Sequence, residues 1–380
     1  MENWKIPMYK IYTDDEDLNL ITKIIKRGTG WALGPEVIEF ENLIKNAVGC
    51  DYCLTLNSGT SALHATNLAY GLKQGDEVLV PSFSFISTAN SVLFVGASPI
   101  FTDIEEKNYG LDPVDIQRKI TEKTKAIIPM DYAGQSCKIF EIKNIAQEND
   151  LILIEDAAES LGSSVKGNKV GSVSDSAIFS FCGNKVLTTG EGGAVVTNSK
   201  EVYEKIKSIR SHGRMDSVSY FNNPNPSNYL MLGYNWRMSS ITASLGISQL
   251  QKLDKIISMR KRNAEYLSKH LSKRPEIHVP IPPEGYDHIY QMYSIRLKDK
   301  QTRDGLKKHL LNLKIFCKVY FDPIHQMQFY KNMENNKEIF LPITERISNE
   351  ILTLPLYPNM THEEMNYVID SILSFFETIN

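Results

Sequence analysis

Long apolar runs are missing from this 380-residue sequence. No stretch approaches the ~20 consecutive apolar residues that cross a bilayer, so no membrane span is expected. An excess of one charge is missing too. The 42 Lys and Arg against 45 Asp and Glu leave a formal net charge of −3. Such a balance gives no electrostatic reason to expect nucleic acid or an anionic membrane as a partner. Cysteine is scarce: Cys50, Cys53, Cys137, Cys182 and Cys317 are all there are. An odd, sparse set in a long chain argues against a disulfide framework. The one C-x-x-C, Cys50 to Cys53, has no second pair to complete four ligands, so no metal site is expected. The opening Met1–Lys5 shows no basic region followed by an apolar run, which speaks against a signal peptide. No G-x-G-x-x-G follows the first strands, which counts against a dinucleotide-binding dehydrogenase. Internal repeats, low-complexity tracts and long charge blocks are also absent. What is left, 42% hydrophobic and 23% charged, is an ordinary globular composition. It points to a soluble, cytoplasmic protein.

A chain of this length is expected to form two domains. From about residue 50 to 200, short β-rich runs alternate with helical patterns. The runs are Cys53–Leu56, Glu77–Val80, Pro99–Asp103, Lys125–Met130, Leu151–Glu155, Ala177–Phe181 and Ala194–Thr197. Several, such as Leu151-Ile152-Leu153-Ile154, are apolar without alternation, which is how a strand buried on both faces reads. Helical segments include Thr60–Tyr70, Ile139–Glu148 and Lys200–Ser211. Strand–helix–strand repetition predicts an α/β fold, a mostly parallel sheet between helices. One long helix is expected over Ser239–Leu271 and another over Asp304–Leu313. Beyond Pro275, Pro280, Pro282 and Pro283 come a strand at Tyr290–Leu297 and a last helix at Glu363–Glu377. A boundary near residue 255 divides a large domain with an N-terminal arm (1–255) from a smaller C-terminal α+β domain (256–380).

Four segments carry chemistry. The run Leu151–Glu155 leads into Glu155-Asp156-Ala157-Ala158-Glu159, and ligands of open α/β sheets bind at the carboxyl ends of strands. A partly desolvated carboxylate at Asp156 needs a partner. A protonated pyridine nitrogen would serve, and the bond would keep that ring able to accept electrons. The plainer alternative is an Asp capping the next helix. Lys185 stands between two strands in Cys182-Gly183-Asn184-Lys185, before the turn Thr188-Thr189-Gly190-Glu191-Gly192-Gly193. That is no setting for a solvated helix-face lysine. A Lys amine attacks a carbonyl when a site disfavours its charge. Asn57-Ser58-Gly59-Thr60-Ser61 joins a strand to an amphipathic helix, and the free N–H groups and dipole of such a terminus suit a phosphate. Ser180 adds a hydroxyl beside the Lys185 strand. Pro81–Thr88 offers Phe83 and Phe85 as rings to lie over a flat heterocycle, with core packing as the alternative for each.

Together these motifs resemble the sugar aminotransferases of the DegT/DnrJ/EryC1/StrS family. The likeness runs from Trp31-Ala32-Leu33-Gly34-Pro35-Glu36 through Arg210-Ser211-His212-Gly213 and Gly233-Tyr234-Asn235-Trp236-Arg237-Met238-Ser239. It ends with Tyr320–His325 and Leu354-Pro355-Leu356-Tyr357-Pro358. The resemblance implies a fold-type-I transferase dependent on pyridoxal 5'-phosphate. It implies a homodimer that moves an amino group from L-glutamate to a nucleotide-linked keto sugar. By position, Lys185 would hold the cofactor as a Schiff base and move the proton, and Asp156 would pair with the ring nitrogen. Gly59, Thr60, Ser61 and Ser180 would hold the phosphate, Phe85 would stack on the ring, and Glu159 would face the ring hydroxyl. Asn235 would reach the phosphate in the neighbouring subunit. Trp31, Tyr320 and His325 are candidates to line the sugar pocket, with ordinary packing or surface placement as the alternative for each. Glu159, Gly183-Asn184-Lys185 and the Thr188–Gly193 turn look like members that aminate C4 of a 4-keto-6-deoxy hexose, GDP-perosamine synthases among them. Asp131-Tyr132-Ala133-Gly134-Gln135 is less typical of that branch and leaves a UDP- or dTDP-sugar open. A C3 sugar aminotransferase, an enzyme for another keto substrate such as an inosose, and a non-catalytic regulator that binds the cofactor are the other readings. Retention of Lys185 speaks against the last.

Overall fold

The apolar runs become strands buried on both faces, and the way they pair brings their carboxyl ends to one side. A computed structural model describes residues 4–214, 228–333 and 338–379. Helices α1 (Asp15–Arg27) and α2 (Pro35–Val48) precede the sheet. Then follow β1 (Tyr52–Leu56), α3 (Gly59–Ala69), β2 (Glu77–Pro81), α4 (Ser87–Leu93), β3 (Ser98–Thr102), α5 (Pro113–Lys119), β4 (Thr124–Ile127), α6 (Ile139–Glu148) and β5 (Ile152–Asp156). A small hairpin, β6 (Ser164–Val165) and β7 (Asn168–Lys169), leads to β8 (Ser176–Ser180), β9 (Gly193–Thr197) and α7 (Lys200–Ile209). The seven long strands form one sheet in the order β1-β9-β8-β5-β4-β2-β3. Strand β9 runs antiparallel to both β1 and β8, and the remaining pairings are parallel. Six strands therefore point the same way. The exits of β1, β2, β4, β5 and β8 share one edge, where an open α/β sheet binds its ligands.

Within a strand, neighbouring side chains enter different cores. In β5, Leu153 packs with Ile127, Ile142 and Ile145, while Ile154 packs with Leu56, Leu63, Val80 and Ile178. Full burial of each such side chain contributes ~1.5–3 kcal/mol. An Ile154→Asp change would place an unpaired charge at the centre of the sheet and break it. A third cluster joins Phe40 of α2 to Phe179, Phe181 and Ile247.

The segment expected as one helix over Ser239–Leu271 is two: α8 (Ser240–Gln251) and α9 (Leu253–Leu271). The break is at Lys252, whose φ of −107° and ψ of 9° leave the helical region. Its Nζ is pinned to Asp17 Oδ2 at 2.9 Å and to Asp14 at the start of α1. Helix α9 starts among the large-domain side chains, with Leu253, Ile256 and Ile257 beside Phe40. It ends in a separate core with Ala264, Leu267 and Leu271. The boundary expected near residue 255 falls in its first turn. After α9 come β10 (Tyr286–Asp287), β11 (Tyr293–Arg296), α10 (Lys300–Asn312), α11 (Gln328–Lys331), α12 (Pro342–Glu350), β12 (Ile351–Leu354) and α13 (His362–Ile379). Strands β11 and β12 pair antiparallel, and α10 and α13 pack on them. The strand expected from Tyr290 starts only at Tyr293. Tyr290 has a positive φ of 53°, and the carbonyls of Tyr290 and Gln291 accept from Arg260 instead of a strand. No described helix is long and apolar enough to cross a membrane.

Candidate active site

The exit of β1 forms an anion cradle. Ser58 caps α3 and accepts the Ser61 N–H at 3.0 Å. The Ser58 carbonyl accepts the Ala62 N–H at 3.1 Å. Of the four N–H groups a helix leaves open at its start, those of Gly59 and Thr60 are left for a ligand. Gly59 is favoured by closeness: a Cβ there would stand 3.0 Å from Ser180 Cβ, a tight contact. Its absence lets the end of β8 close on the helix terminus, bringing the Ser180 hydroxyl to the same place. Thr60 Oγ1 bonds Ser87 Oγ at 2.8 Å, and Ser61 Oγ donates to Asn57 Oδ1 at 2.8 Å. Ser61 thus stiffens the turn more than it opens toward a ligand.

Asp156 ends β5 and is only 4% exposed. Thr88 donates its hydroxyl to Oδ2 at 2.7 Å, and the Ala158 N–H approaches Oδ1 at 3.3 Å. Burial pushes the Asp156 pKa up to about 6, against the downward pull of Thr88, Ala158 and the Lys185 charge. A carboxylate held there at such a cost calls for a cationic partner.

Lys185 follows the β8 exit. Its Nζ lies 3.3 Å from Glu159 Oε1, and its side chain is 14% exposed. Glu159 Oε2 accepts the Ala133 N–H at 2.9 Å, which fixes the carboxylate between the loop after β4 and the lysine. Tyr320 belongs to the same cluster. Burial, then the Glu159 charge, raises its phenol pKa, and it lines one small cavity with Tyr9, Asn184 and Gln291. An N–H cradle, a buried carboxylate and a half-buried amine thus face one sheet edge. The three fit a pyridoxal phosphate: the cradle its phosphate, Asp156 its ring nitrogen, Lys185 its carbonyl carbon.

The other expected residues divide. Phe85 is 59% exposed in the turn that carries Thr88, so its ring is free to stack. Asn235 is exposed, and its backbone pairs with Ser211 beside the β1 exit. His325 was expected at the sugar pocket, and its ring nitrogens are engaged within the chain. It is buried, its Nδ1 bonds Ser82 Oγ at 2.6 Å and its Nε2 faces Glu345 Oε1 at 3.2 Å, so neither ring nitrogen is left for a substrate. Trp31 is tied elsewhere within its own chain. Its indole N–H donates to the Ile24 carbonyl of α1, and its carbonyl accepts the Ser240 N–H of α8. Phe83 is wholly buried against Tyr132, Tyr109 and Phe321 and is core.

Two functional contacts escaped the sequence reading. Thr88 lies in the first turn of α4, after β2, two strands along the sheet from β5, and only the topology brings it to Asp156. Gln291 accepts the Val186 N–H at 2.7 Å and donates to the Asn184 carbonyl at 2.8 Å, gripping the chain on both sides of Lys185. Nothing in its local pattern marks it. The five cysteines are unpaired. Among the described residues no cluster of His, Cys, Asp and Glu is placed to hold a metal.

With this geometry in place, the similarities to known proteins are informative. Residues 12–373 match the DegT/DnrJ/EryC1/StrS aminotransferase family. The chain is 33% identical to the GDP-perosamine synthase of Escherichia coli O157:H7 over 373 residues, covering 98% of each. Helicobacter pylori PseC, an aminotransferase involved in the biosynthesis of pseudoaminic acid, superposes with a TM-score of 0.92 at 28% identity, covering 98% of this chain and 99% of that one. Bacillus subtilis NtdA, solved with the cofactor PMP bound, superposes with a TM-score of 0.88 at 27% identity, covering 99% and 86%.

Proposed function

Since the chain belongs to the DegT/DnrJ/EryC1/StrS family of pyridoxal phosphate-dependent sugar aminotransferases, we propose that it moves an amino group from L-glutamate to C4 of a nucleotide-linked 4-keto-6-deoxy hexose. The GDP-linked sugar, leading to perosamine, is the first choice. The convergence of the Gly59–Thr60 cradle, Asp156 and Lys185 on one edge of the sheet carries the reading. When bound, the cofactor supplies a carbonyl that exchanges the amino group and a ring that accepts electrons.

The chain's own groups do the rest. Gly59 and Thr60 N–H, with Ser180, anchor the phosphate and set where the ring lies. Asp156 holds a proton on the ring nitrogen, and that positive charge in turn stabilises the buried carboxylate. Glu159, steadied by the Ala133 N–H, orients both the ring hydroxyl and the Lys185 amine. Lys185 Nζ is the group that would hold the cofactor's carbonyl carbon, and as the nearest amine it would take and return the substrate proton from one face, which sets the new stereocentre. Tyr320 lines the approach. Asn235 of one chain completes the phosphate site of a second, so the working form is a homodimer.

The GDP preference draws on the likeness to GDP-perosamine synthase and on Glu159, while the Thr188–Gly193 turn bears on the C4 position and does not by itself select the nucleotide. A second reading, a UDP- or dTDP-linked keto sugar, draws on Asp131-Tyr132-Ala133-Gly134-Gln135, which is less typical of the perosamine branch. Incubation with L-glutamate and GDP-, UDP- and dTDP-4-keto-6-deoxy sugars, followed by mass spectrometry and NMR of the product, separates them. Nitrogen found on C3 refutes the C4 assignment. Turnover confined to UDP or dTDP sugars refutes the GDP choice and leaves the C4 chemistry standing.

A further inference from the structure

Two buried carboxyl groups lie behind the site, each with one oxygen that meets no donor among the described residues. Asp131 follows β4 and is 0% exposed; Glu155, in β5, is 1% exposed. Asp131 Oδ1 accepts the Cys137 N–H at 2.8 Å. Glu155 Oε2 accepts the Gly171 N–H at 3.0 Å and the Ser174 hydroxyl at 2.9 Å. The remaining oxygens, Asp131 Oδ2 and Glu155 Oε1, are buried and meet no N–H or hydroxyl donor among the described residues. Met130 and Asp156 pair as a parallel bridge, which puts Asp131 and Glu155 together on the other face of these two segments, each carboxyl facing the other. The leading other groups that act on them are Cys137, Ser174 and Gly171, none of them a cation. Ionised carboxylates are acceptors only, so this contact requires a proton between them.

We propose that Asp131 and Glu155 share one proton in a buried carboxyl–carboxylate hydrogen bond that positions Asp156 and Glu159. The two donors on Glu155 Oε2 favour the charge on Glu155 and the proton on Asp131. Burial, and then the Glu155 charge, pushes the Asp131 pKa well above the carboxylate range. The bond sits where it can set the site. The Asp131 N–H donates to the Asp156 carbonyl at 3.1 Å, and the Asp156 N–H donates to the Pro129 carbonyl at 2.8 Å. Two residues further on, the Ala133 N–H holds Glu159. On the other side, Glu155 fixes the 171–174 turn that leads into β8 and so to Lys185. One shared proton therefore locks the loop that orients Glu159 to the strand that presents Asp156. The positioning half rests on the function proposed above; the hydrogen bond itself does not.

Donor parity gives the test. Asp131→Asn keeps a donor toward Glu155, and Glu155→Gln keeps a donor toward Asp131, so each single variant retains the bond. In the double variant two amide groups face each other while the Cys137 and Gly171 N–H groups still need acceptors, and one donor goes unmatched. All three variants are nearly isosteric, so a role in shape alone would not separate them. Infrared spectra of the protein free of cofactor, near pH 8, should show a protonated carboxyl band that both single variants lose. The single variants should melt close to the wild type and bind pyridoxal phosphate within about threefold of it. The double variant should melt several degrees lower and bind about tenfold more weakly or worse, as an unmatched buried donor requires. Absence of the band in the wild type, or a double variant as stable as the singles, overturns the shared proton. Unchanged cofactor affinity in a destabilised double variant overturns the positioning role. Band and melts are read without cofactor, so failure of the cofactor assignment would leave them standing.

Discussion

Thr88 donates its hydroxyl hydrogen to Asp156 Oδ2 over 2.7 Å, and the Ser84 hydroxyl lies 2.7 Å behind it. With the Thr88 hydrogen committed to the carboxylate, Ser84 is the donor in the second bond. The first turn of α4, after β2, therefore reaches past β4 to the end of β5, since the sheet order is β5-β4-β2. Asp156 is held by a neighbour two strands away.

Thr88→Val removes that donor at almost constant volume. The Asp156 pKa should rise further, because the Thr88 bond is the largest of the effects that lower it. A hydrogen bond to a charged group is worth ~1.5–3 kcal/mol, so kcat/KM should fall about ten- to a hundredfold, with Thr88→Ser restoring most of it. Steady-state rates with L-glutamate and the keto sugar measure this. A Thr88→Val enzyme within twofold of the wild type would remove Thr88 from the machinery.

Asp156→Asn should separate stability from activity. In the folded protein without cofactor the Asp156 pKa is raised from 3.8 to about 6. The folded state therefore binds this proton more tightly than the unfolded one. Its contribution to stability is full below about pH 4 and is lost as the pH rises through about 6. Above that the buried ionised carboxylate costs up to about 3 kcal/mol. The Asn variant, free of cofactor, should match the wild type in melts near pH 4 and melt higher near pH 8. It should also lose most turnover, since a neutral amide cannot keep the ring nitrogen charged. Melting curves of the two proteins that remain parallel across this range would count against the burial argument.

The strands were legible because strands buried on both faces are apolar without interruption, as in Leu151–Ile154, and Gly and Pro mark their ends. Lys185, Asp156 and the Gly59 turn were legible for a related reason. A carboxylate after a buried strand, a lysine in a Gly-rich turn and small residues at a helix start are costly or unusual unless used. The partners of His325 were not legible, because its motif carries no record of them. Ser82 and Glu345, which occupy its ring nitrogens, are distant in sequence and joined to it only by the fold. The break at Lys252 was hidden because apolar spacing persists through it. What interrupts the helix is a lysine drawn to Asp14 and Asp17 more than two hundred residues earlier.

Gln291 should matter as much as a residue in the site, though it touches only backbone there. Its amide bonds both neighbours of Lys185, and Arg260 holds the Gln291 carbonyl in turn at 2.8 Å. Gln291→Glu keeps the acceptor for the Val186 N–H and turns the donor against the Asn184 carbonyl. Loss of one buried bond of this kind costs ~1–3 kcal/mol. The fraction of protein labelled on Lys185 after borohydride reduction should fall about tenfold at limiting cofactor, while circular dichroism stays unchanged. Full labelling of the Glu variant at the same cofactor concentration would show that the loop needs no clamp.

The last prediction concerns sharing between subunits. Asn235 is exposed, and its segment runs along the β1 exit, with the Asn57 N–H donating to the Trp236 carbonyl at 2.9 Å. Just before it, Tyr229, Leu230, Met231 and Leu232 are 59%, 59%, 42% and 82% exposed. Consecutive exposed apolar side chains of this size mark a surface that is covered in the working protein. A two-fold interface there would present Asn235 of each chain to the cradle of the other. Lys185→Ala and Asn235→Ala homodimers should each be nearly inactive at limiting cofactor. Mixed dimers carry one site with both residues intact and one with neither. Equal mixing with free exchange makes half the dimers mixed, so activity should recover to about a quarter of the wild-type level. Exchange is verified by native mass spectrometry of tagged chains. Mixed dimers that form without any recovery would place Asn235 in its own chain's site or in none.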